Sequence, residues 1–525
     1  MKEAKQQQIH PPSRDRATAI AVAVVLLLVF LSAAILANSM TKPVSRDEHM
    51  YCTAGALLAQ GQLPYRDFAY PSQLPYHPLL LAALYKTLGT THYLLVARLL
   101  SVACDIVVLV SIVGIFRFVF APHRAPGLLL GALAAIFYAF NPLVDYAAGY
   151  AWNHDVVIAC VTASLWLLIT TDFHAKSRYW RLALIGALLT FATAMRITTA
   201  LVELVFLIAI LLMAGRPLRN RLTTALPFSA AALLVLTWPL SVVMRAPEAF
   251  WLNLMQLPAC YGRWLHEIGI VHSKPALTID ALTQPGYAAL LAAAVYLTWT
   301  LARRFSNLEP DTRAKAILTA LLPLVFFLIA CIPPTMWRQY LAMPVPFLAI
   351  AMAYPLAHLR RAAEPQPNRS FTIACVVVGL CAALAVASNL NVLPRSLAVT
   401  VPEHWEPTKL HTAATDIAAE PPGAKRALTL GPLFAIEGGC DIYPELAAGA
   451  VVYRAADALS EHQRAVTRTV GPATLPALVE RYPPAIVIVG AEPSFFSFLE
   501  DPLRDVVDAN WRRDTDTGLI VYHRP

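Results

Sequence analysis

Long apolar runs alternate with short polar segments through the first 390 residues of the chain. About 20 residues of α-helix cross the hydrocarbon core of a bilayer, and most of the runs approach or exceed that length. The pattern therefore predicts eleven transmembrane helices, the first of them an uncleaved span because it is too long for a signal peptide. They are predicted near 17–38, 94–117, 127–147, 152–171, 180–195, 197–214, 222–244, 285–302, 315–332, 340–357 and 371–391.

Arginine and lysine are divided unequally between the loops that join these spans. One set of short loops, including 117–124, 303–315 and 360–369, is basic, whereas the alternate loops are longer and hold fewer cations. Because cytoplasmic loops are enriched in Lys and Arg, the N-terminus is predicted in the cytoplasm and the C-terminus outside. The stretch 180–214 is either one long span or two short spans broken near Arg196. We prefer two spans, because the later basic loops then all fall on the cytoplasmic side.

Two long loops are predicted on the outer face. The loop 39–93 contains a moderately apolar piece, 74–89, which is short for a span and predicts a helix lying at the membrane interface. The loop 245–284 is rich in Trp, Tyr and Pro. Its aromatic side chains could cover a sugar by ring stacking, but anchoring at the membrane interface explains each of them at least as well. These side chains are Trp251, Tyr261, Trp264 and His266.

The C-terminal part of the chain changes in character. From about 400 to 525 the composition is that of a soluble domain, and helical stretches separate short apolar runs typical of buried strands. These runs are 427–431, 485–490 and 518–523. The sequence thus predicts a mainly α, polytopic membrane module over 1–395 and an extracytoplasmic α/β domain over 400–525.

Composition supports a membrane protein and excludes other classes. Of the 525 residues, 58% are hydrophobic and 14% charged, whereas a soluble domain carries about 25% charged residues. The net charge of +8 lies mainly in short loops and forms no continuous basic face, so the predicted partner is the lipid bilayer and not nucleic acid. The sequence has no CxxC motif and no strong metal-ligand cluster, so neither a metal nor another cofactor is predicted.

Two carboxylates, Asp47 and Glu48, come directly after the first predicted span. A carboxylate at the membrane surface can stay hydrated on one side and face a protein cavity on the other. That placement suits a general base, which removes a proton from a hydroxyl or an amine. Alternatively, either residue caps the following helix, since acidic groups stabilise a helix N-terminus.

A second polar group, Trp152-Asn153-His154-Asp155, begins the fourth predicted span. Here His154 or Asp155 could hold an acceptor or complete a carboxylate pair with Asp47. The alternative is that Asn153 or Asp155 caps the span.

Ionisable side chains also fall within or between the spans. Arg196 lies between two short apolar runs, where a charge is costly and usually faces a cavity or a partner. The phosphate of a lipid carrier and a structural partner are both plausible ligands for it. Glu203 follows seven residues later, and Arg98 and Asp105 repeat this spacing. For Asp105 and Glu203 we expect ion pairs between helices.

Two segments resemble the GT-C glycosyltransferases, in particular the dolichyl-phosphate-mannose protein mannosyltransferase-like group, which includes relatives of the lipid A aminoarabinose transferases. The first is the acidic pair followed by Gly-x-x-Pro-Tyr-Arg-Asp-Phe over 61–68 and a proline-rich stretch. The second is Arg338-Gln339-Tyr340-Leu341, which resembles the Arg-Tyr-Leu-x-Pro signature of the family with Gln339 inserted. In a helix this insertion turns Tyr340 by about 100°, so the resemblance assigns no role to Tyr340.

The resemblance implies an enzyme that moves a monosaccharide from a polyprenyl-phosphate donor to a protein, lipid or envelope glycan at the outer face of a bacterial inner membrane. Asp47 matches the family's general base in an inverting displacement. Arg338 and Arg196 are candidate ligands of the donor phosphate, because a guanidinium offers a planar fork of donors. Pairing with lipid headgroups is the alternative for Arg338. Glu48, His154 and Asp155 are candidates for an acceptor or second acidic site.

Two other functional classes are compatible with a polytopic chain. One is a transporter or flippase of a lipid-linked sugar, which often shows internal repeats. The other is a non-catalytic scaffold of envelope assembly. The sequence has no clear repeat, and its large outer loop and outer domain favour an enzyme.

Overall fold

A computed structural model of the chain describes residues 14–121, 123–215, 217–270, 273–361, 369–419, 425–515 and 518–525. Most of the basic loop predicted at 360–369 therefore lies outside the described residues. The described chain consists of a bundle of apolar helices followed by a tail that contains a small sheet.

The helices of the bundle lie where the apolar runs predict them. Within the described residues, seven helices are long and apolar enough to cross a membrane, and three shorter ones are apolar. The long ones are Asp15–Thr41, Tyr93–Val119, Leu218–Arg245, Pro285–Ala302, Pro310–Cys331, Arg338–Arg361 and Arg369–Ser388. The shorter ones are Arg124–Ala139, Asn153–Ile169 and Ile197–Met213. The chain is a multi-pass membrane protein, as predicted.

The predicted break near Arg196 is confirmed. Helix Arg178–Thr193 ends before it, Ile197–Thr199 forms a 3₁₀ turn, and Ala200–Met213 continues as α-helix. Arg196 itself has an extended backbone, with φ −140° and ψ 104°. The side chain can therefore leave the line of both helices.

Two predicted spans are interrupted near the polar loops. The run 127–147 divides into Arg124–Ala139 and Pro142–Ala147, and the Asn141 side chain caps the second piece by accepting from Leu143 N. The run 340–357 divides into a 3₁₀ turn, Arg338–Ala342, and two α-helices, Val345–Ala351 and Ala353–Arg361. Its prolines lack a backbone N–H and so weaken a continuous helix.

The first long loop forms two packed helices, Arg46–Ala59 and Tyr76–Leu88. They approach so closely that a Cβ atom on Gly55 would lie 2.7 Å from Leu81 Cβ, so glycine is required there. The second long loop contains Pro247–Trp251, a π-helical turn Leu252–Gln256, Leu257–Glu267 and Lys274–Thr283.

The tail contains a five-stranded sheet in the order β2-β1-β3-β5-β4. The strands are β1 (Arg426–Leu428), β2 (Asp441–Ile442), β3 (Ile486–Val489), β4 (Arg512–Asp514) and β5 (Ile520–His523). β1 pairs in parallel with β2 and β3, and β5 is antiparallel to β3 and β4. The predicted runs 485–490 and 518–523 contain β3 and β5, and the run 427–431 overlaps β1. β2 and β4 were not predicted, because they are two and three residues long and mostly exposed.

Short helices complete the part of the chain that follows the last long apolar helix. They are Val392–Arg395, Glu406–Ala419, Leu433–Ile436, Ala450–Ala456, Glu461–Thr467, Leu475–Arg481 and Asp501–Arg504.

The tail is bonded to the loop that carries the acidic pair. Leu433 N donates to His49 Nδ1 at 3.4 Å, and Arg46 Nε lies 3.1 Å from Glu492 Oε2. The Glu437 carboxylate accepts a 2.7 Å hydrogen bond from Leu94 N. We call the side of the bundle that holds the two long loops and the tail the loop face.

Candidate active site

The two neighbouring carboxylates differ completely in environment. Glu48 is fully buried and forms a bidentate pair with Arg98, with Nε to Oε1 at 2.8 Å and Nη2 to Oε2 at 2.7 Å. Arg98 Nη1 also donates to the backbone carbonyls of Ser39 and Lys42. This guanidinium therefore ties the end of the first span to the start of the loop helix.

Glu48 has two further donors. Ser45 N and Ala151 N each donate to its carboxylate at 2.8 Å, and Ser45 forms the capping box of helix Arg46–Ala59. Four donors hold this buried carboxylate in one position. Of the two roles considered from the sequence, capping is thus the one that the geometry supports for Glu48.

Asp47 is half-buried and points elsewhere. In the described part of the chain the Asp47 carboxylate has no hydrogen-bonding partner. It lies close enough to the hydroxyls of four tyrosines for its negative charge to act on them. These tyrosines are Tyr51, Tyr146, Tyr261 and Tyr340. They come from four separate segments, so Asp47 faces a place where those segments converge.

Burial raises the pKa of Asp47 above its ordinary value of 3.8, and the neighbouring Glu48 charge adds to the rise. The positive charges of Arg454 and Arg46 offset part of it. A carboxylate that is partly desolvated, unpaired and has a raised pKa has the properties of a general base.

Arg196, His154 and Tyr340 form a second polar cluster at the loop face. Arg196 Nη1 lies 2.6 Å from His154 Nε2, and its guanidinium carbon lies 4.4 Å from the centre of the Tyr340 ring. Because arginine can only donate, His154 Nε2 accepts, and the imidazole is neutral with its proton on Nδ1. The His154 and Tyr340 rings are stacked at 5.8 Å.

The inserted Gln339 does not turn Tyr340 away from this cluster. The segment is a 3₁₀ turn, in which successive side chains are about 120° apart. Tyr340 therefore faces Arg196, whereas Gln339 lines a small cleft with His154 and Asp155.

Asp155 is buried beside this cleft and serves the preceding turn. Its Oδ2 accepts a 2.8 Å hydrogen bond from Gly149 N. Asn153 donates instead to Gln73 Oε1 and to the Met195 carbonyl. Neither side chain forms a capping hydrogen bond at the start of helix Asn153–Ile169, so the predicted capping alternative is not observed.

Arg338 lies at the rim of the site. Its Nε is 3.8 Å from Asp280 Oδ2 in a partly exposed ion pair, and its guanidinium carbon is 5.6 Å from the Tyr146 ring. The Tyr146 hydroxyl is also close enough to Asp47 for the carboxylate charge to act on it. Tyr146 therefore lies near both Arg338 at the rim and Asp47.

Two expected ion pairs are not formed. Asp105 Oδ1 accepts from the Tyr138 hydroxyl at 2.6 Å, and Glu203 accepts from the hydroxyls of Thr190 and Thr193. Within the described residues neither carboxylate lies in an ion pair. Arg98, seven residues before Asp105, pairs with Glu48 instead. These hydroxyl groups bond to the carboxylates without bringing a second charge into the bilayer.

The aromatic side chains of the second long loop divide into two sets. Trp251 and His266 are exposed. Tyr261 and Trp264 are stacked at 6.2 Å, and Trp264 stacks in turn on Phe496 of the tail at 6.0 Å. The sequence could not predict this stack, because Trp264 and Phe496 are more than 200 positions apart in the chain. In the described chain, no group of three or more His, Cys, Asp or Glu side chains could hold a metal ion.

Comparison with known proteins shows the fold. No family model and no curated protein match the chain. The crystal structure of ArnT from Cupriavidus metallidurans bound to undecaprenyl phosphate superposes with a TM-score of 0.61 at 13% identity, covering 97% of this chain and 98% of the other. Its apo form gives 0.60 at 16% identity over the same shares.

A crystal structure of the apo oligosaccharyltransferase from Archaeoglobus fulgidus gives a TM-score of 0.52 at 10% identity, covering 91% of this chain and 70% of the other. At these identities the likeness concerns the fold. The chain therefore has the fold of the GT-C membrane glycosyltransferases, as the sequence resemblance predicts.

Proposed function

We propose that the protein is a glycosyltransferase that moves a monosaccharide from a polyprenyl-phosphate donor to an acceptor at the loop face. The observation that carries this proposal is Asp47, an unpaired carboxylate facing a convergence of tyrosines. It occurs in a chain with the fold of a protein crystallised with undecaprenyl phosphate.

The proposed chemistry is a single inverting displacement. Asp47 takes the proton of the acceptor hydroxyl or amine while the acceptor atom forms a bond to the anomeric carbon. The bond between that carbon and the phosphate oxygen breaks, and the electron pair leaves with the polyprenyl phosphate. The leaving phosphate gains a negative charge, which the guanidinium groups of Arg196 and Arg338 would stabilise.

The two clusters suit two different parts of this reaction. Arg196 is 8% exposed and held by His154 and Tyr340, which leaves its remaining N–H groups free to meet an oxyanion. Glu48 is saturated by its four donors, so we assign it to positioning Asp47. For His154 and Asp155 we propose support of the cleft, with Gln339 beside them as a contact for the acceptor.

We also propose the division of the chain into a membrane module, 1–395, and an extracytoplasmic domain, 400–525, in a bacterial inner membrane. A reporter active only outside the cytoplasm should then function when fused after residue 400. It should fail when fused near residue 310, in the basic loop of the opposite side. The reverse result would place Asp47 in the cytoplasm and would rule out this site.

Arg338 provides a test of donor binding. Replacing Arg338 with Ala should raise the KM for the donor by about tenfold, because a charge-assisted hydrogen bond to phosphate is lost. Lys at this position should recover only part of the loss, since it is a point charge without the fork. Acceptor KM should stay unchanged.

The matched control is Arg245→Ala, which removes an exposed arginine from the end of a helix at the same loop face. It should transfer sugar as the wild type does. Equal donor KM in Arg338→Ala and in Arg245→Ala would mean that Arg338 only anchors the 3₁₀ turn at the membrane surface.

A further inference from the structure

The tail contributes one buried arginine to the neighbourhood of Asp47. Arg454 lies in helix Ala450–Ala456 and is 4% exposed. Its Nε donates to the Ala450 carbonyl of its own helix at 2.6 Å. That bond fixes the direction of the side chain, since the guanidinium plane is rigid.

Three aromatic rings surround the guanidinium. Its central carbon lies 5.4 Å from the Tyr261 ring, 5.3 Å from Trp264 and 5.4 Å from Phe496. Ring faces attract a cation and exclude water from it. Two of the rings belong to the second long loop and one to the tail, so the cage forms only when the tail is docked.

The two terminal nitrogens of Arg454 have no hydrogen-bond acceptor in the described part of the chain. The nearby carboxylate of Glu492 is bonded to Arg46 at 3.1 Å and does not form an ion pair with Arg454. An unpaired buried charge is costly, and a fold retains one chiefly where a ligand completes it.

The Arg454 guanidinium lies close enough to Asp47 for its positive charge to lower the pKa of that carboxyl, as the charge of Arg46 also does. Tyr261, whose ring lies 5.4 Å from the guanidinium carbon, is also close enough to Asp47 for the carboxylate charge to act on its hydroxyl. The Tyr340 hydroxyl lies close enough to both Arg196 and Asp47 for their charges to act on it, so Arg196 of the bundle is also near Asp47.

We propose that the terminal nitrogens of Arg454 bind an oxyanion of a substrate beside Asp47. The tail would then supply a substrate-binding residue, and the site would be incomplete without it. This inference rests on the proposed function and deepens it. The oxyanion belongs either to the phosphate of the donor or to an anionic group on the acceptor.

Binding measurements on the full-length protein in detergent test this proposal. Wild type and Arg454→Gln are titrated calorimetrically with undecaprenyl phosphate, and then with inorganic phosphate after saturation by undecaprenyl phosphate. The matched control is Arg481→Gln, which removes an exposed tail arginine that stacks on its neighbour Tyr482. Loss of the charge-assisted hydrogen bonds should weaken the affected titration by about 10- to 100-fold.

The two titrations show whether the oxyanion bound by Arg454 belongs to the donor or to the acceptor. Weaker binding of undecaprenyl phosphate in Arg454→Gln alone assigns Arg454 to the donor phosphate. Unchanged undecaprenyl phosphate binding, with loss of inorganic phosphate binding to the saturated protein, assigns it to the acceptor. If both titrations of a folded Arg454→Gln equal those of the wild type, the proposal is wrong.

A second measurement needs no variant, in case Arg454→Gln does not fold. Modification of wild-type Arg454 by phenylglyoxal, read by mass spectrometry, should slow when either phosphate probe is bound. Equal modification with and without both probes would also overturn the proposal. A protein that binds a probe through Arg454 but transfers no sugar from polyprenyl-phosphate donors would contradict the proposed function and leave the oxyanion site standing.

Discussion

Replacing Asp47 with Asn is expected to lower sugar transfer by about 10²–10⁴-fold, the usual contribution of a general base. The amide keeps the shape of the carboxylate but cannot take the acceptor proton. Because Asp47 accepts no hydrogen bond within the described chain, the change should leave the fold and the membrane insertion intact. Transfer rates at saturating donor, together with thermal unfolding in detergent, measure the two effects separately.

The pH dependence of transfer gives an independent check. Asp47 must be ionised to act, and burial raises its pKa above 3.8 against the opposing charges of Arg454 and Arg46. Activity should therefore fall as the pH is lowered through this raised pKa, at a higher pH than an ordinary carboxylate would give. Near-normal transfer by Asp47→Asn at neutral pH would exclude Asp47 as the base.

Replacing Glu48 with Gln should act through stability instead of chemistry. The change leaves Arg98 charged in a site that is fully buried. Breaking a buried pair on one side costs about 3–5 kcal/mol, because the remaining charge is uncompensated. We expect a marked drop in the unfolding temperature and in the yield of folded protein, with activity falling in proportion to the folded fraction.

An exposed pair provides the control. Lys409 and Glu406 form a 2.8 Å ion pair whose side chains are 53% and 30% exposed. Glu406→Gln should change stability by about 0–1 kcal/mol, as exposed pairs do. A Glu48→Gln protein as stable as the wild type but inactive would instead make Glu48 the base and leave Asp47 without a role.

Much of the bundle is determined by the sequence alone. Helices lie at the predicted apolar runs, and the break near Arg196 occurs where charge and hydropathy indicate it. This succeeds because a bilayer requires every spanning segment to be apolar over a fixed length and to satisfy its own backbone hydrogen bonds. The two interrupted runs also carry local signals, namely Asn141-Pro142 and the prolines around Pro344.

The partners of the charged side chains were decided by the tertiary structure. Asp47 and Glu48 are adjacent and look equivalent in sequence, but within the described chain Asp47 has no hydrogen-bonding partner, whereas Glu48 pairs with Arg98, fifty residues away. Arg454 lies outside the two segments that carry the sequence resemblance, yet the aromatic rings of the second long loop surround its guanidinium. Hydropathy is a local property that places each segment in the membrane or outside it. Which charges meet depends on how distant segments pack, and a pattern along one chain does not record that.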